Sequence, residues 1–186
     1  TWVGDFDKFA SVVYHRFVLR DLTYVVSGFL VLLAPLEAHS LWSVVHHYPR
    51  AGVAVVLAAS FMTGLIVQEL FVLAGVVRMR NMAALPCRGN EFVDREVWAL
   101  RAESRMDEAL RKAVERTASL KHITGTTGAA VAANVGLVLI YHYSGLLCLE
   151  GRTLLAVVLS ALVYCPTAFA SNWRKAAIQD RLLGVR

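Results

Sequence analysis

Apolar residues are concentrated in four long runs along the chain, and charged residues are concentrated between those runs. A helix of about 20 apolar residues spans the roughly 30 Å hydrocarbon core of a bilayer, because each residue adds about 1.5 Å. Each run is close to that length or longer. The pattern therefore predicts an all-α membrane protein with four transmembrane helices at residues 22–41, 51–77, 127–148 and 153–171.

The segments outside these runs have patterns of their own. Residues 1–21 carry apolar residues at helical spacing opposite acidic ones, which predicts an N-terminal amphipathic helix in the membrane interface. Residues 78–126 form one long polar segment between spans 2 and 3, and a long amphipathic helix on the inner side is predicted within it at 91–122. Residues 172–186 are predicted to be a basic tail, and the whole chain a single membrane domain.

Composition and charge place these runs in lipid and orient them. Hydrophobic residues make up 57% of the 186 residues and mean hydropathy is +0.53, which is more apolar surface than a soluble core of this size buries. All but two of the 19 lysines and arginines lie outside the hairpins, which hold only Arg50 and Arg152. By the positive-inside rule, both termini face the cytoplasm or the mitochondrial matrix. This predicts a protein of the mitochondrial inner membrane or the bacterial plasma membrane that contacts anionic lipids and binds no nucleic acid.

Polar residues interrupt the second span at Gln68 and Glu69. Counted from an inner end at Val77, Glu69 lies about 12 Å deep, close to the midplane, where a carboxylate is costly unless it is neutral or paired. With Asn134 and Tyr164 at similar depth, these residues are predicted to form a buried polar cluster. The interpretations for Glu69 are a neutral hydrogen-bonding group between helices, a proton or ion site, or a contact with another subunit.

Small residues recur at helical spacing in the second and third spans. Small side chains let two membrane helices approach closely, because lipid offers no hydrophobic drive to hold them together. The residues predicted to pack in this way are Gly64, Gly128, Ala132 and Gly136.

A second group of polar residues lies at the predicted outer side, where Glu37 and His39 end the first span and His142 lies near the end of the third. Two histidines on different helices are typical of b-type haem ligation, and such a site also suits a quinone head group. The alternative is that they are interfacial residues whose polar tips reach water. The three cysteines lie at different predicted depths, so no metal site is expected.

The predicted inner-side helix at 91–122 has an apolar stripe that must be buried against something. Its charged residues alternate in sign, which suits water or a protein partner better than an anionic membrane surface. At about 45 Å the helix would be too long to be covered by the end of a four-helix bundle. Part of the stripe is therefore predicted to bind a partner chain, through Val97, Leu100 and Leu110.

These observations leave three hypotheses for function. The first is a non-catalytic accessory subunit of a larger membrane complex, of an energy-transducing type such as a respiratory chain or ATP synthase assembly. The second is a homo-oligomeric channel or effector with proton or ion handling at Glu69, and the third is a haem- or quinone-binding anchor. The sequence contains no P-loop, HExxH or GxSxG motif, so no catalytic activity of its own is expected. The expected partners are other membrane subunits or symmetry copies, together with bound lipid.

Overall fold

The computed structural model describes residues 2–78 and 105–183, with only the backbone described for residues 2–19. All the regular structure in these ranges is helical, and four of the helices are long and apolar enough to cross a membrane. The predictions of an all-α fold and of four helices able to span a membrane are therefore confirmed for the described residues, and four such helices fit an integral membrane protein. The helices are α1 (Trp2–Ala38), α2 (Trp42–His47), α3 (Pro49–Leu73), α4 (Glu108–Tyr143) and α5 (Gly151–Leu182).

The helices α1 and α3 pack antiparallel with their backbones in direct contact. A Cβ atom added to Gly28 would collide with the carbonyl oxygen of Ser60, and one added to Gly64 would collide with that of Tyr24. Because glycine has no side chain, the two helix axes can approach more closely than any other residue would allow. These two glycines therefore place the α1 and α3 backbones in close contact.

The helix α4 packs against α1 on one side and α5 on another. It runs parallel to α1, because Asn134 bonds to the Leu30 carbonyl while Tyr141, further along α4, contacts His39 just after the end of α1. It runs antiparallel to α5, because a Cβ atom on Gly128 would lie 3.1 Å from the Ala168 side chain, while Gly125 faces Asn172 one turn away. The buried core between these elements is apolar and small, and it consists of Val31, Val67, Val77, Ala129 and Ala130.

Two ends of the bundle follow from this arrangement. The hairpin end contains the connections at residues 39–48 and 144–150. The opposite end, here called the basic end, contains Arg20, Arg78, Arg174 and Lys175.

The helix that contains the third span begins well before the predicted span. Residues 105–107 are not helical, and α4 begins at Glu108 with Asp107 as its N-cap, whose carboxylate accepts a hydrogen bond from the Leu110 amide at 2.7 Å. Aspartate is preferred at this position because it satisfies an amide that has no partner within the helix. From Glu108 the helix continues unbroken to Tyr143. The prediction of a helix at 91–122 that is separate from the third span is therefore wrong: residues 105–107 are not helical, and residues 108–122 are helical but continue into the span. The first half of the predicted helix, 91–104, lies outside the described residues.

Two other boundaries also differ from those predicted. The helix α1 is a single element from Trp2 to Ala38, where an interfacial helix followed by a separate span was expected. The helix α5 extends to Leu182, so most of the predicted basic tail is helical. The tail residues Ala176 and Gln179 are buried, which gives this extension tertiary packing to stabilise it.

The helix α3 ends earlier than predicted, and this shortens the distance from its polar residues to the end of the helix. After Leu73 the chain reverses at Gly75, whose φ of 71° favours glycine, and the amides of Val76 and Val77 both bond to the Phe71 carbonyl. Val77 then turns back into the core. Glu69 is consequently about 6 Å from the end of the helix and about 30 Å from its start at Pro49. The predicted distance of about 12 Å from the end of the span is therefore too long, while the midplane position itself stays a prediction.

Candidate functional site

Gln68 forms the centre of a polar contact that joins three helices. Its side chain is 1% exposed, and its amide nitrogen donates to the Tyr24 hydroxyl at 3.2 Å. The Thr126 hydroxyl donates to its amide oxygen. Gln68 therefore connects α3 to α1 and to α4 at once, which is the arrangement expected for a polar group removed from water.

Glu69 does not join this contact. It is exposed on an adjacent face of α3, on a surface otherwise made by apolar residues such as Ile66 and Leu70. Among the described residues no hydrogen bond or ion pair to its carboxylate is formed. The expectation that Glu69 is buried is therefore wrong, and the reason is geometric: adjacent helical residues point about 100° apart, so only one of the pair faces the bundle.

Asn134 and Tyr164 bond to other partners. The Asn134 amide donates to the Leu30 carbonyl, and the Tyr164 hydroxyl donates to the Thr127 hydroxyl at 2.9 Å. Tyr164 is largely exposed toward the outside of the bundle. The predicted four-residue cluster is thus divided among separate helix-to-helix hydrogen bonds, although Asn134 and Tyr164 line a common cavity.

Asn172 holds the chain at the basic end and was not recognised from the sequence. The residue is completely buried, and its side-chain oxygen accepts from the Arg78 amide at 2.8 Å. Its side-chain nitrogen donates to the Lys121 carbonyl at 2.9 Å and to the Arg78 carbonyl at 3.3 Å. One side chain therefore connects α5 to α4 and to the segment that follows α3.

The neighbouring Trp173 strengthens the same connection from the outside. Its indole nitrogen donates to the Val76 carbonyl at 2.8 Å, and the Arg78 guanidinium lies 4.1 Å from the centre of its ring. The second contact is a cation–π interaction, which contributes about 0.5–1 kcal/mol at an exposed site. Tryptophan at this level is also typical of the boundary between hydrocarbon and head groups.

Lys121, whose carbonyl bonds to Asn172, also lies at the basic end. The residue is only 2% exposed. Its ammonium group donates to the side-chain oxygen of Gln179 at 2.6 Å. The next residue on α5, Asp180, is also buried. A buried cation requires hydrogen-bond acceptors around it because it has lost its hydration. No motif marks these residues in the sequence, since they occur in segments that were interpreted as the end of an inner-side helix and as a basic tail.

The residues of the hairpin end are exposed or bond locally. His142 lies 3.2 Å from the carbonyl of Leu147 in the adjacent turn, and the exposed His39 has its ring against Tyr141 at 5.6 Å between centres. Glu37 is exposed. No group of three histidine, cysteine or acidic side chains suited to a metal ion occurs in the part of the chain that the structure describes. The contacts of His39 and His142 are thus with the protein itself, and no contact joins the two histidines within that part.

The other predicted residues have mixed positions. Gly64 and Gly128 lie at close helix contacts, and Ala132 is half-buried, but a Cβ atom on Gly136 would meet nothing within 4 Å. The assignment of Gly136 to helix packing is therefore wrong. Leu110 is half-buried near the start of α4, whereas Val97 and Leu100 lie outside the described residues.

No protein-family model, curated protein or solved structure matches this chain.

Proposed function

We propose that this protein is a non-catalytic subunit of a larger complex in an energy-transducing membrane, where its four spans serve as an anchor for other membrane chains. The observation that carries the proposal is the use of the intramembrane polar groups. Gln68, Asn134 and Tyr164 each bond to a neighbouring helix, so their hydrogen-bonding groups are used to join the helices. This bonding suits a rigid structural element.

The partner surface in this proposal is the exposed face of α3. Four large apolar residues and one carboxylate form a continuous stripe along this face: Met62, Ile66, Glu69, Leu70 and Leu73. The apolar residues alone would suit lipid. A carboxylate among them favours a partner helix that offers a cation or a hydrogen-bond donor at the same depth.

The basic end is proposed to contact anionic head groups in addition. Arg20, Arg78 and Arg174 are exposed there beside Trp173. Each basic side chain close to an anionic surface contributes about 1 kcal/mol of attraction. A complex of the respiratory chain or ATP synthase type, in a mitochondrial inner or bacterial plasma membrane, would provide such lipids and such partner chains.

The test is purification of the tagged full-length chain from its native membrane in a mild detergent, followed by a native gel and mass spectrometry. We expect other membrane chains to co-purify in fixed ratio. Replacing Ile66 with Trp together with Glu69→Lys should release them, because the first change alters the surface and the second reverses its charge. Leu162→Trp is the matched control, since Leu162 is equally exposed but lies on α5. A wild-type protein that runs alone would contradict the proposal.

The second candidate function is a homo-oligomer, and the same exposed carboxylate favours it. Copies related by rotation about the membrane normal would bring several Glu69 side chains to one depth, which is an arrangement for proton or ion handling. In the same purification, bands containing only multiples of the 20.5 kDa chain would favour this candidate over the first.

A further inference from the structure

A cavity of about 480 Å³ lies within the spans, on the side of the bundle away from α3. Its floor is formed by α4, and Leu30 of α1 closes one side. Its other wall is a single face of α5, made by residues three and four positions apart: Thr153, Ala156, Val157, Ser160, Ala161 and Tyr164. The volume falls within the range of about 300–1,000 Å³ that is typical of ligand sites.

The cavity exists because the α5 wall is made of small side chains. Ala156, Ser160 and Ala161 cannot fill the space that larger residues would occupy between α5 and α1. The wall is also open, since Thr153, Ala156 and Ser160 are exposed. The cavity is therefore a groove that faces the lipid side of the bundle, and hydrocarbon is the medium that surrounds it there.

The length of the groove matches one leaflet of a bilayer. Thr153 lies in the first turn of α5, at the hairpin end, and Tyr164 lies about 16 Å deeper. Half of a 30 Å hydrocarbon core is about 15 Å. The groove thus begins at the membrane surface and ends near the midplane, which is the extent of one lipid chain.

The chemistry of the groove differs between its two ends. At the deep end the polar side chains of Asn134 and Tyr164 already donate hydrogen bonds to Leu30 and Thr127. A ligand at the deep end therefore does not need to accept hydrogen bonds from these two side chains. At the surface end Thr153 carries a hydroxyl, and the exposed Arg152 directly precedes Thr153 in the sequence. Arg152 and Arg50 are the only lysines or arginines of the two hairpins.

We propose that this groove binds one acyl chain of an anionic phospholipid from the hairpin-end leaflet. The phosphate is held by the Arg152 guanidinium and the Thr153 hydroxyl, and the chain extends along Ala156, Val157 and Ala161. Guanidinium and phosphate form charge-assisted hydrogen bonds that are stronger than neutral ones. Glu150, two residues before Arg152, reduces the attraction, so the preference for an anionic head group should be severalfold rather than absolute.

The test uses the full chain in nanodiscs that contain equal amounts of phosphatidylglycerol and phosphatidylcholine. Native mass spectrometry then counts the phospholipids that remain bound after the disc is removed. We expect one retained phospholipid per chain, with phosphatidylglycerol enriched severalfold over its share in the disc.

Four variants separate the chain site from the head-group site. Ala156→Phe fills the groove and should abolish retention, whereas Leu155→Phe, at an exposed neighbour outside the groove, should not. Arg152→Gln should retain a lipid but lose the enrichment in phosphatidylglycerol. Arg50→Gln, the cation of the other hairpin, should behave like the wild type.

Both groove positions suitable for filling are exposed, so Ser160→Phe repeats the Ala156→Phe test with little risk to folding. Circular dichroism checks that helix content is unchanged in each variant. The proposal is overturned if the wild type retains no phospholipid, or if both filled variants retain as much as the wild type. It is also overturned if enrichment is absent or survives Arg152→Gln, or if the retained mass is an isoprenoid quinone.

Discussion

The two ends of the bundle use polar residues in opposite ways. At the basic end, Asn172 and Lys121 are buried and each bonds to a different helix or segment. At the hairpin end, His39 and Glu37 are exposed, and His142 contacts only its own turn. A polar side chain contributes to a membrane bundle when it joins two elements that would otherwise separate, and contributes little when its partner is local. Side-chain hydrogen bonds therefore fix the helix arrangement at the basic end more than at the hairpin end.

The largest expected effect concerns the close contact between α1 and α3 at Gly28. Gly28→Leu should destabilise the bundle by about 3 kcal/mol or prevent folding, because its side chain would occupy the position of the Ser60 backbone. Thermal unfolding in detergent measures this change.

The control for this variant is Gly136→Leu, where the added side chain meets nothing within 4 Å. It should change stability by less than about 0.5 kcal/mol. Equal losses in the two variants would show that leucine itself, and not the helix contact, is responsible.

The next effect is the removal of the buried connection at Asn172. Asn172→Ala leaves three backbone groups at Arg78 and Lys121 without their partner, so we expect a loss of about 2–3 kcal/mol. Asn134→Ala breaks one hydrogen bond to α1 and should lose about 1 kcal/mol. Denaturation by sodium dodecyl sulfate measures the loss of stability in both variants. A larger loss in Asn134→Ala than in Asn172→Ala would contradict the prediction.

A smaller effect distinguishes two adjacent residues of α3. Gln68→Leu should cost about 1 kcal/mol, because the Tyr24 and Thr126 hydroxyls lose their shared partner. Glu69→Leu in the isolated protein should stay within about 0.5 kcal/mol, because that side chain points away from the bundle. Both values come from the same denaturation experiment. A destabilised Glu69→Leu protein would mean that the carboxylate is bound within the chain.

The last prediction leaves stability unchanged and tests whether the two ends face opposite sides of the membrane. Cys148 is exposed at the hairpin end. In a Cys87→Ser protein, a membrane-impermeant thiol reagent should label Cys148 only from the side opposite the termini. Labelling from the side of the termini would contradict the orientation inferred from the lysines and arginines. Cys87 itself, predicted to react from the inner side, lies outside the described residues.

The sequence predicts the number of spans well and their contacts poorly. Length and hydropathy determine whether a helix crosses a bilayer, and both can be counted directly from residues. The end of α3 was misplaced because Val76 and Val77 are apolar, although they follow a turn at Gly75 and pack inward from the side. Hydropathy cannot distinguish an apolar residue in a span from one in a reversal beneath it.

The candidate site shows the same limit at the level of single residues. Gln68 and Glu69 are both polar and adjacent, and a stripe of small residues favours one face of α3 without excluding a polar residue at its border. Which of them faces inward depends on where Tyr24 and Thr126 lie, and this is a property of two other helices. Asn172 and Lys121 gave no signal, because polar residues in a basic tail or at the end of an inner-side helix are expected to be solvated.

The unbroken course of α4 has a mechanical consequence. The helix begins at Glu108, about 20 Å beyond the level of Lys121, and continues through the bilayer as one rod. A rod transmits tilt to both of its ends. A rotation of 10° about the level of Lys121 would displace Glu108 sideways by about 3–4 Å for an arm of that length. A change in bilayer thickness at the level of the spans would thereby become a lateral movement in the water above them.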